Sequence, residues 1–475
     1  MKITMEKLNK NLIPLIIIFI LTPFSKSFAI QYEILPVNPL MISPFILLLL
    51  SIALAPFISK HWWEKNYPFV AISLGATTVF YYLFILDNNR RLFAVAIEYI
   101  SFIVLIGSLF VVSGGIHINI KRASTPLFNV FLLAFGAVIS NILGTTGASM
   151  VLIRPFIRTN KHRIAGYHIV FFIFIVSNIG GMLTPIGDPP LFLGYLKGIP
   201  FFWVIGKVWS IWLTVNIILL CIFYIIDRNH YKKHLSIRQT ELAVESISFQ
   251  GLHNILFLVL IIFAVFMPEV IREIIMLIAG AASYCTTKKE IHKDNEFNFI
   301  PIKEVAILFA GIFATMVTAL DWLELNAAGF GMDKPGIFYW GTGVLSSFLD
   351  NAPTYLSFLT TAFGLHGLSV DNITHMKAML GMLPVNELAH LELIHNSLIK
   401  PVTASTWEFI RAISVGAVMF GACTYIGNGP NFMVKSIAEQ AGIQMPTFLG
   451  YIVKYTIPIL LPVFFIVWLF CFYHK

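Results

Sequence analysis

Charge is scarce in this chain. Only 12% of its 475 residues are Asp, Glu, Lys or Arg, where a soluble domain carries about 25%. Cysteine is scarcer still. Cys221, Cys285, Cys423 and Cys471 fall within or at the ends of apolar runs, without metal-site spacing, so neither a disulfide framework nor a transition-metal site is expected. The sequence has no Walker motif, no His-Glu-x-x-His and no Gly-x-Ser-x-Gly, and no nucleophile–base pair is visible. Neither an enzyme nor a resident cofactor is expected. The formal charge of +8 is not a nucleic-acid footprint, because the bases sit in short loops between apolar runs.

Hydrophobic length replaces charge. Hydrophobic residues make up 57% of the chain, in repeated runs of roughly 20 residues, the signature of an all-α polytopic membrane protein. Lipid is then the first partner, and the cell (inner) membrane the expected location. The 43 phenylalanines read as lipid-facing and inter-helix packing. Residues 1–29 carry Lys2, Lys7 and Lys10, a short apolar stretch and Ser27-Phe28-Ala29, which reads as either a signal peptide or an extra N-terminal helix.

After residue 39 the chain falls into two halves of the same order. Helices are expected at Leu40–Ser59, Phe69–Leu86 and Leu92–Val112, then a re-entrant hairpin at 126–157, a broken helix at 164–196 and a helix at Phe201–Ile226. A basic cytoplasmic linker, 228–250, follows. The second half gives helices at Leu252–Met267, Val270–Thr286 and Ile302–Leu320, a hairpin at 336–364, a broken helix at 402–435 and a last span at Thr447–Tyr473. Orientation by basic loops places nearly every Lys and Arg cluster inside, Arg90-Arg91 excepted, and puts Leu365–Lys400 outside as an insertion. The halves, 39–227 and 251–474, are therefore expected to be two inverted-topology repeats, each of about five transmembrane helices plus a hairpin and a broken helix.

The interruptions carry the chemistry. Gly181, Thr184, Ile186, Gly187 and Pro190 recur 240 residues later as Gly421, Thr424, Ile426, Gly427 and Pro430, with Asn428 in the place of Asp188. Glycine and proline cannot continue a helix there, and lipid cannot satisfy the freed backbone, so each break must be buried in protein or line a watery cavity. Paired breaks in inverted repeats point to a secondary transporter's substrate site. The candidate ion-binding residues are Asn141, Thr145, Ser177, Asn178, Thr184, Asp188, Asp350, Asn351, Thr354, Thr424 and Asn428, beside Ser140, Thr146, Ser347 and Asn431. This oxygen-rich set suits a hard cation, Na⁺, rather than a transition metal. Asp188 and Asp350 are the proton-coupling candidates, since an intramembrane carboxylate must be paired, protonated or wet. Asp188 can equally cap the helix at Pro189, and Asp350 can equally serve as a turn residue at the hairpin tip. Arg154 reads as snorkelling to the cytoplasmic surface, Glu98 and Glu304 as surface residues at helix starts, His168 as a core histidine, and Asp321-Trp322 as an interfacial anchor.

Ser177-Asn178-Ile179-Gly180-Gly181, Ile186-Gly187-Asp188-Pro189-Pro190 and Leu349-Asp350-Asn351-Ala352-Pro353-Thr354 resemble the ion-transporter superfamily. That group includes NhaD-type sodium:proton antiporters, citrate transporters, arsenite permeases and dicarboxylate/sodium symporters. The resemblance implies a homodimer of two-domain protomers, with ions at the hairpin tips and breaks and an elevator-like motion of the domain that holds them. Asp-Asn-Ala-Pro-Thr at the second tip is similar to the antiporter and citrate branches. Gly144-Thr145-Thr146-Gly147 departs from the Ser-Asn-Thr tips of dicarboxylate transporters. The expected function is Na⁺(Li⁺)/H⁺ antiport by alternating access. Citrate or carboxylate symport with a cation and arsenite efflux are the alternatives, and an ion channel is disfavoured.

Overall fold

The computed structural model describes residues 32–121, 124–233, 246–384, 387 and 401–473. The expectation for residues 1–29 lies outside them, as do residues 234–245 of the basic linker. Among the described residues, eight helices are long and apolar enough to cross a bilayer: Pro39–Pro56, His61–Phe84, Asn89–Gly114, Pro126–Thr159, Gly166–Leu183, Phe201–Lys233, Ile300–Phe330 and Phe448–Cys471. The chain is an all-α polytopic membrane protein. In Gly166–Leu183 83% of the residues are buried against 28% in Pro39–Pro56, so the first broken helix is wrapped by protein while the opening helix lies on the outside of the bundle.

The helices form two groups, which also meet where Asn351–Leu365 packs on Ile300–Asn326 and Pro126–Thr159 on Asn89–Gly114. In the first, the helix Lys60–Phe84 lies along Ile300–Asn326, where small residues at Ala71, Gly75, Gly311 and Ala314 let the two backbones approach closely. Asn89–Gly114 packs on Ile271–Thr286 and on Ile300–Asn326, with Phe102 stacked on Phe309 at 4.7 Å. The second group holds the interruptions, and its closest pair is Pro335–Phe348 against Trp407–Gly421.

The stretch Pro126–Thr159 is not one straight helix. Gly144 adopts φ 74, ψ 158 in its middle, a conformation that costs glycine little and other residues much. The chain doubles back there. At the base of the hairpin the Ser124 N–H donates to the Thr159 carbonyl (3.0 Å), and the Asn129 and Asn160 amides exchange hydrogen bonds of 2.9 Å. The second hairpin turns at Leu349–Asp350 between Pro335–Phe348 and Asn351–Leu365, with Phe338 and Phe358 meeting edge-on at 6.1 Å.

Several sequence expectations change. The basic stretch from Lys60 to Lys65 is not a loop but the first turns of Lys60–Phe84, because the chain kinks at Ser59 (φ −154, ψ 90) instead of at the charges. The segment after Lys288 contains a short helix, Lys289–Asp294. Two strands pair antiparallel: His117–Lys121 (β1) in the first half, and Ser246–Gln250 (β2), which occupies the end of the stretch 228–250 expected to be a linker. Their period-2 alternation is too short to stand out beside the apolar runs.

Asp321 is not an interfacial anchor, and Arg91 does not act as a surface orientation signal. Both are 1% exposed, and the Arg91 guanidinium donates to Asp321 at 2.8 and 2.9 Å, while the Tyr82 hydroxyl donates to the same carboxylate at 2.7 Å. A buried pair broken on one side leaves an uncompensated charge. Asp321→Ala is expected to lower stability by about 3 kcal/mol, the low end for such a loss because Asp371 still faces Arg91 at 3.4 Å. Thermal unfolding in detergent measures it. Glu98, read as a surface residue, instead accepts a 2.6 Å bond from Lys197. His168 is fully buried, with Nε2 3.1 Å from Asp227.

Candidate functional site

The two breaks have the same backbone design. Each begins as a short helix, Gly166–Ile175 or Trp407–Gly421, unwinds, and resumes as Pro189–Leu196 or Gly429–Gln440. Asp188 (φ −139, ψ 142) and Asn428 (φ −154, ψ 141) hold the position before each resumed half-helix in nearly identical conformations. The threonine of each break ties it to its own hairpin. Thr184 Oγ1 donates to the Asn141 carbonyl (2.6 Å) and accepts from the Gly187 N–H (3.0 Å). Thr424 Oγ1 donates to the Ser347 carbonyl and accepts from the Gly427 N–H (3.2 Å). The serines before the tips match as well: Ser140 donates to the Val176 carbonyl (2.8 Å) and Ser346 to the Ala417 carbonyl (2.6 Å).

All four interruptions meet on one carboxylate. Asp188 Oδ1 accepts from the Thr145 hydroxyl at the first hairpin tip (2.9 Å) and from the Asn428 amide of the second break (2.9 Å). Asp188 Oδ2 accepts from the Asn351 amide at the second tip (2.6 Å). Asp188 therefore makes no capping bond to its own helix, although it stands at the capping position. It is 1% exposed, and Thr145, Asn351 and Asn428 are at most 2% exposed. The three groups that bond to it are neutral. Asn351 Oδ1 is buried with no hydrogen-bond partner, so an acceptor oxygen stands free in the same constellation. Among the described residues no group of three or more His, Cys, Asp or Glu is placed to hold a metal ion.

The other candidates divide. Asn178 joins the cluster, accepting from Asn428 at 3.2 Å and donating to Asn431 Oδ1 at 2.6 Å. Asn141 donates to the Gly180 carbonyl (2.7 Å) and accepts from the Leu183 N–H (2.9 Å), so it braces the first break. Ser177 pairs with Ser149 at 2.8 Å, and its carbonyl accepts from Asn428 at 3.3 Å. Thr354 turns back to the Asp350 carbonyl (2.9 Å) and does not join the bonds to Asp188. Asp350 caps the second arm of its hairpin, accepting from the Ala352 N–H at 3.0 Å; its neighbour Asn351 makes the contact to Asp188. Arg154 lies apart, paired with Glu296 at 2.8 Å. Asn431 matters more than its place in the sequence suggests. It bridges Asn178 to the Gly421 and Thr424 carbonyls at 2.8 and 2.9 Å, and the signal for it was a polar residue directly after Gly429-Pro430.

A narrow crevice runs beside the cluster. Leu105, Leu109 and Phe110 of Asn89–Gly114 form one wall, and Thr145, Thr146 and Asp188 form the other. The long-helix group thus lies beside the site, with apolar side chains lining the crevice that Asp188 also lines. No curated protein matches the chain. Residues 35–472 match a protein family described as "Putative citrate transport".

Proposed function

We propose, from the premise that this chain belongs to the family described as "Putative citrate transport", that it is a cation-coupled secondary transporter centred on Asp188. The observation that carries the proposal is the convergence of both hairpin tips and both breaks on one buried carboxylate whose bonding partners are all neutral. A buried anion without a positive partner is costly. Na⁺ or H⁺ supplies the missing charge. Either one neutralises Asp188, and both cannot occupy it together, so the carboxylate exchanges one for the other. Oxygens of Asp188, Asn351, Thr145 and the unwound backbone suit the hard ion. Asp350, at the second tip, is the proposed second proton-coupling group. The reading is Na⁺(Li⁺)/H⁺ exchange by alternating access, in a membrane-embedded homodimer.

A second reading has one observation in its favour, the family description itself. Citrate or a related carboxylate would then cross with the cation, its negative charge facing the amino ends of the half-helices at Pro189 and Gly429. Vesicles loaded with a pH dye separate the two. Exchange predicts that a Na⁺ or Li⁺ gradient dissipates a pre-set pH difference without citrate. Co-transport predicts labelled citrate uptake that needs the cation, with no cation-driven pH change in its absence. A vesicle whose pH and citrate content both ignore Na⁺ and Li⁺ removes both readings.

A further inference from the structure

The half-helix that starts at Asp188 ends on a buried lysine. Lys197 caps Pro189–Leu196, and its side chain is 3% exposed. Its ammonium donates to Glu98 at 2.6 Å and is paired with Asp371. Glu98 belongs to Asn89–Gly114, in the long-helix group. Asp371 follows the second hairpin, and it also faces Arg91 of Asn89–Gly114 at 3.4 Å. Burial pushes the Asp371 carboxyl up, but Lys197 and Arg91 outweigh that and hold it well below the usual carboxylate range, so the pair is ionic at neutral pH. The neighbouring Tyr195 hydroxyl adds a 2.6 Å bond to the Val265 carbonyl at the end of Asn254–Val265, which packs on Ile271–Thr286 and Asn89–Gly114 of the long-helix group.

The opposite end of the bundle is held differently. There the Arg154–Glu296 pair joins the first hairpin to the long-helix side, and Glu296 is 67% exposed. Water replaces an exposed pair at little cost, whereas a buried pair must be rehydrated before its members part. The two ends therefore resist separation unequally.

We infer that Lys197, held between Glu98 and Asp371, is a latch that clamps the interruption-bearing group to the long helices at one face, and that it opens whenever the site turns to that face. Eight helical residues connect the ion-binding carboxylate to the latch, so a shift at Asp188 is carried to Lys197 as by a rod. The latch rests on alternating access but not on the identity of the cargo.

The test uses the full chain with its four cysteines replaced and Thr146→Cys placed in the crevice wall. An impermeant maleimide is applied to right-side-out and to inverted membrane vesicles, and the ratio of labelling between them is the readout. Glu98→Gln and Asp371→Asn are each expected to shift that ratio at least about threefold toward the latched face. Glu296→Gln is expected to leave it unchanged. A ratio that responds to Na⁺, pH or citrate gradients but to neither latch variant overturns the latch alone. A ratio that responds to no gradient and to neither variant overturns alternating access along with it.

Discussion

Asp188→Asn is expected to cut cation-driven pH change in vesicles on the order of 100-fold while leaving the fold standing. The substitution removes one charge and almost no volume. The introduced side chain keeps an oxygen for Thr145 and Asn428, and its new amide nitrogen faces Asn351. The Asn351 amide group answers by turning over, because its Oδ1 is buried and unpartnered and so loses no bond when it swings to accept. The bond between residues 188 and 351 is kept, but the Asn351 amide nitrogen is left where Oδ1 stood without a partner, so thermal unfolding should fall by about 1–3 kcal/mol. Transport has no such rescue. The neutral amide neither takes up a proton nor neutralises a cation, and one charged contact is worth about 2–3 kcal/mol, so the Na⁺ response should fall on the order of 100-fold. A variant that keeps its pH response in sealed vesicles would remove Asp188 from the coupling step.

Gly187→Ala should do the reverse and destroy the structure that presents the carboxylate. A Cβ at this position would lie 2.1 Å from the Gly181 carbonyl oxygen and 2.8 Å from its carbon. Both are backbone atoms of the same break, and neither can rotate aside. The Gly187 carbonyl is also committed, accepting from the Thr145 N–H at 2.8 Å, so shifting residue 187 pulls the hairpin tip off the break. The cost is expected to be about 4 kcal/mol or more, in the range reserved for strain and lost core contacts. Folded yield after detergent extraction should drop sharply, together with the melting temperature of what remains. Gly206→Ala is the control. Nothing lies within 4 Å of a Cβ there, and alanine in a helix interior is worth about 0.5–1 kcal/mol over glycine. Gly427, whose Cβ would meet the Ser346 and Gly421 carbonyls at 2.6 and 2.7 Å, should behave like Gly187.

These two positions were legible in the sequence for a simple reason. In a chain with so little charge and so many helix formers, an acid and a run of glycines and prolines inside an apolar span have few harmless explanations. The recurrence of Gly-x-x-Thr-x-Ile-Gly marked both breaks, and the structure gives the two threonines the same pair of bonds. The sequence could not say which tip residue reaches the carboxylate. Asp350 was the natural choice because it is charged, yet it sits where a helix needs a cap and turns to the Ala352 N–H, which leaves the contact to Asn351. Long-range charge pairs were hidden as well. Arg91 and Asp321 lie 230 residues apart, and each looked like a surface feature at the end of its own helix. The charges from Lys60 to Lys65 suggest a loop, whereas backbone geometry at Ser59 makes only a kink and the helix Lys60–Phe84 starts on the charges themselves.

The strand pair β1–β2 has a mechanical consequence. It sets Lys121 opposite Ser246, so the first hairpin, the first broken helix and Phe201–Lys233 all belong to an excursion that departs and returns at neighbouring points. A segment attached at two distant places is strung between them, and any tilt stretches one tether. A segment attached at two adjacent places is moored once, like a door whose hinges share a single pin. The excursion holding Asp188 can swing about that mooring without lengthening its connections to the rest of the chain.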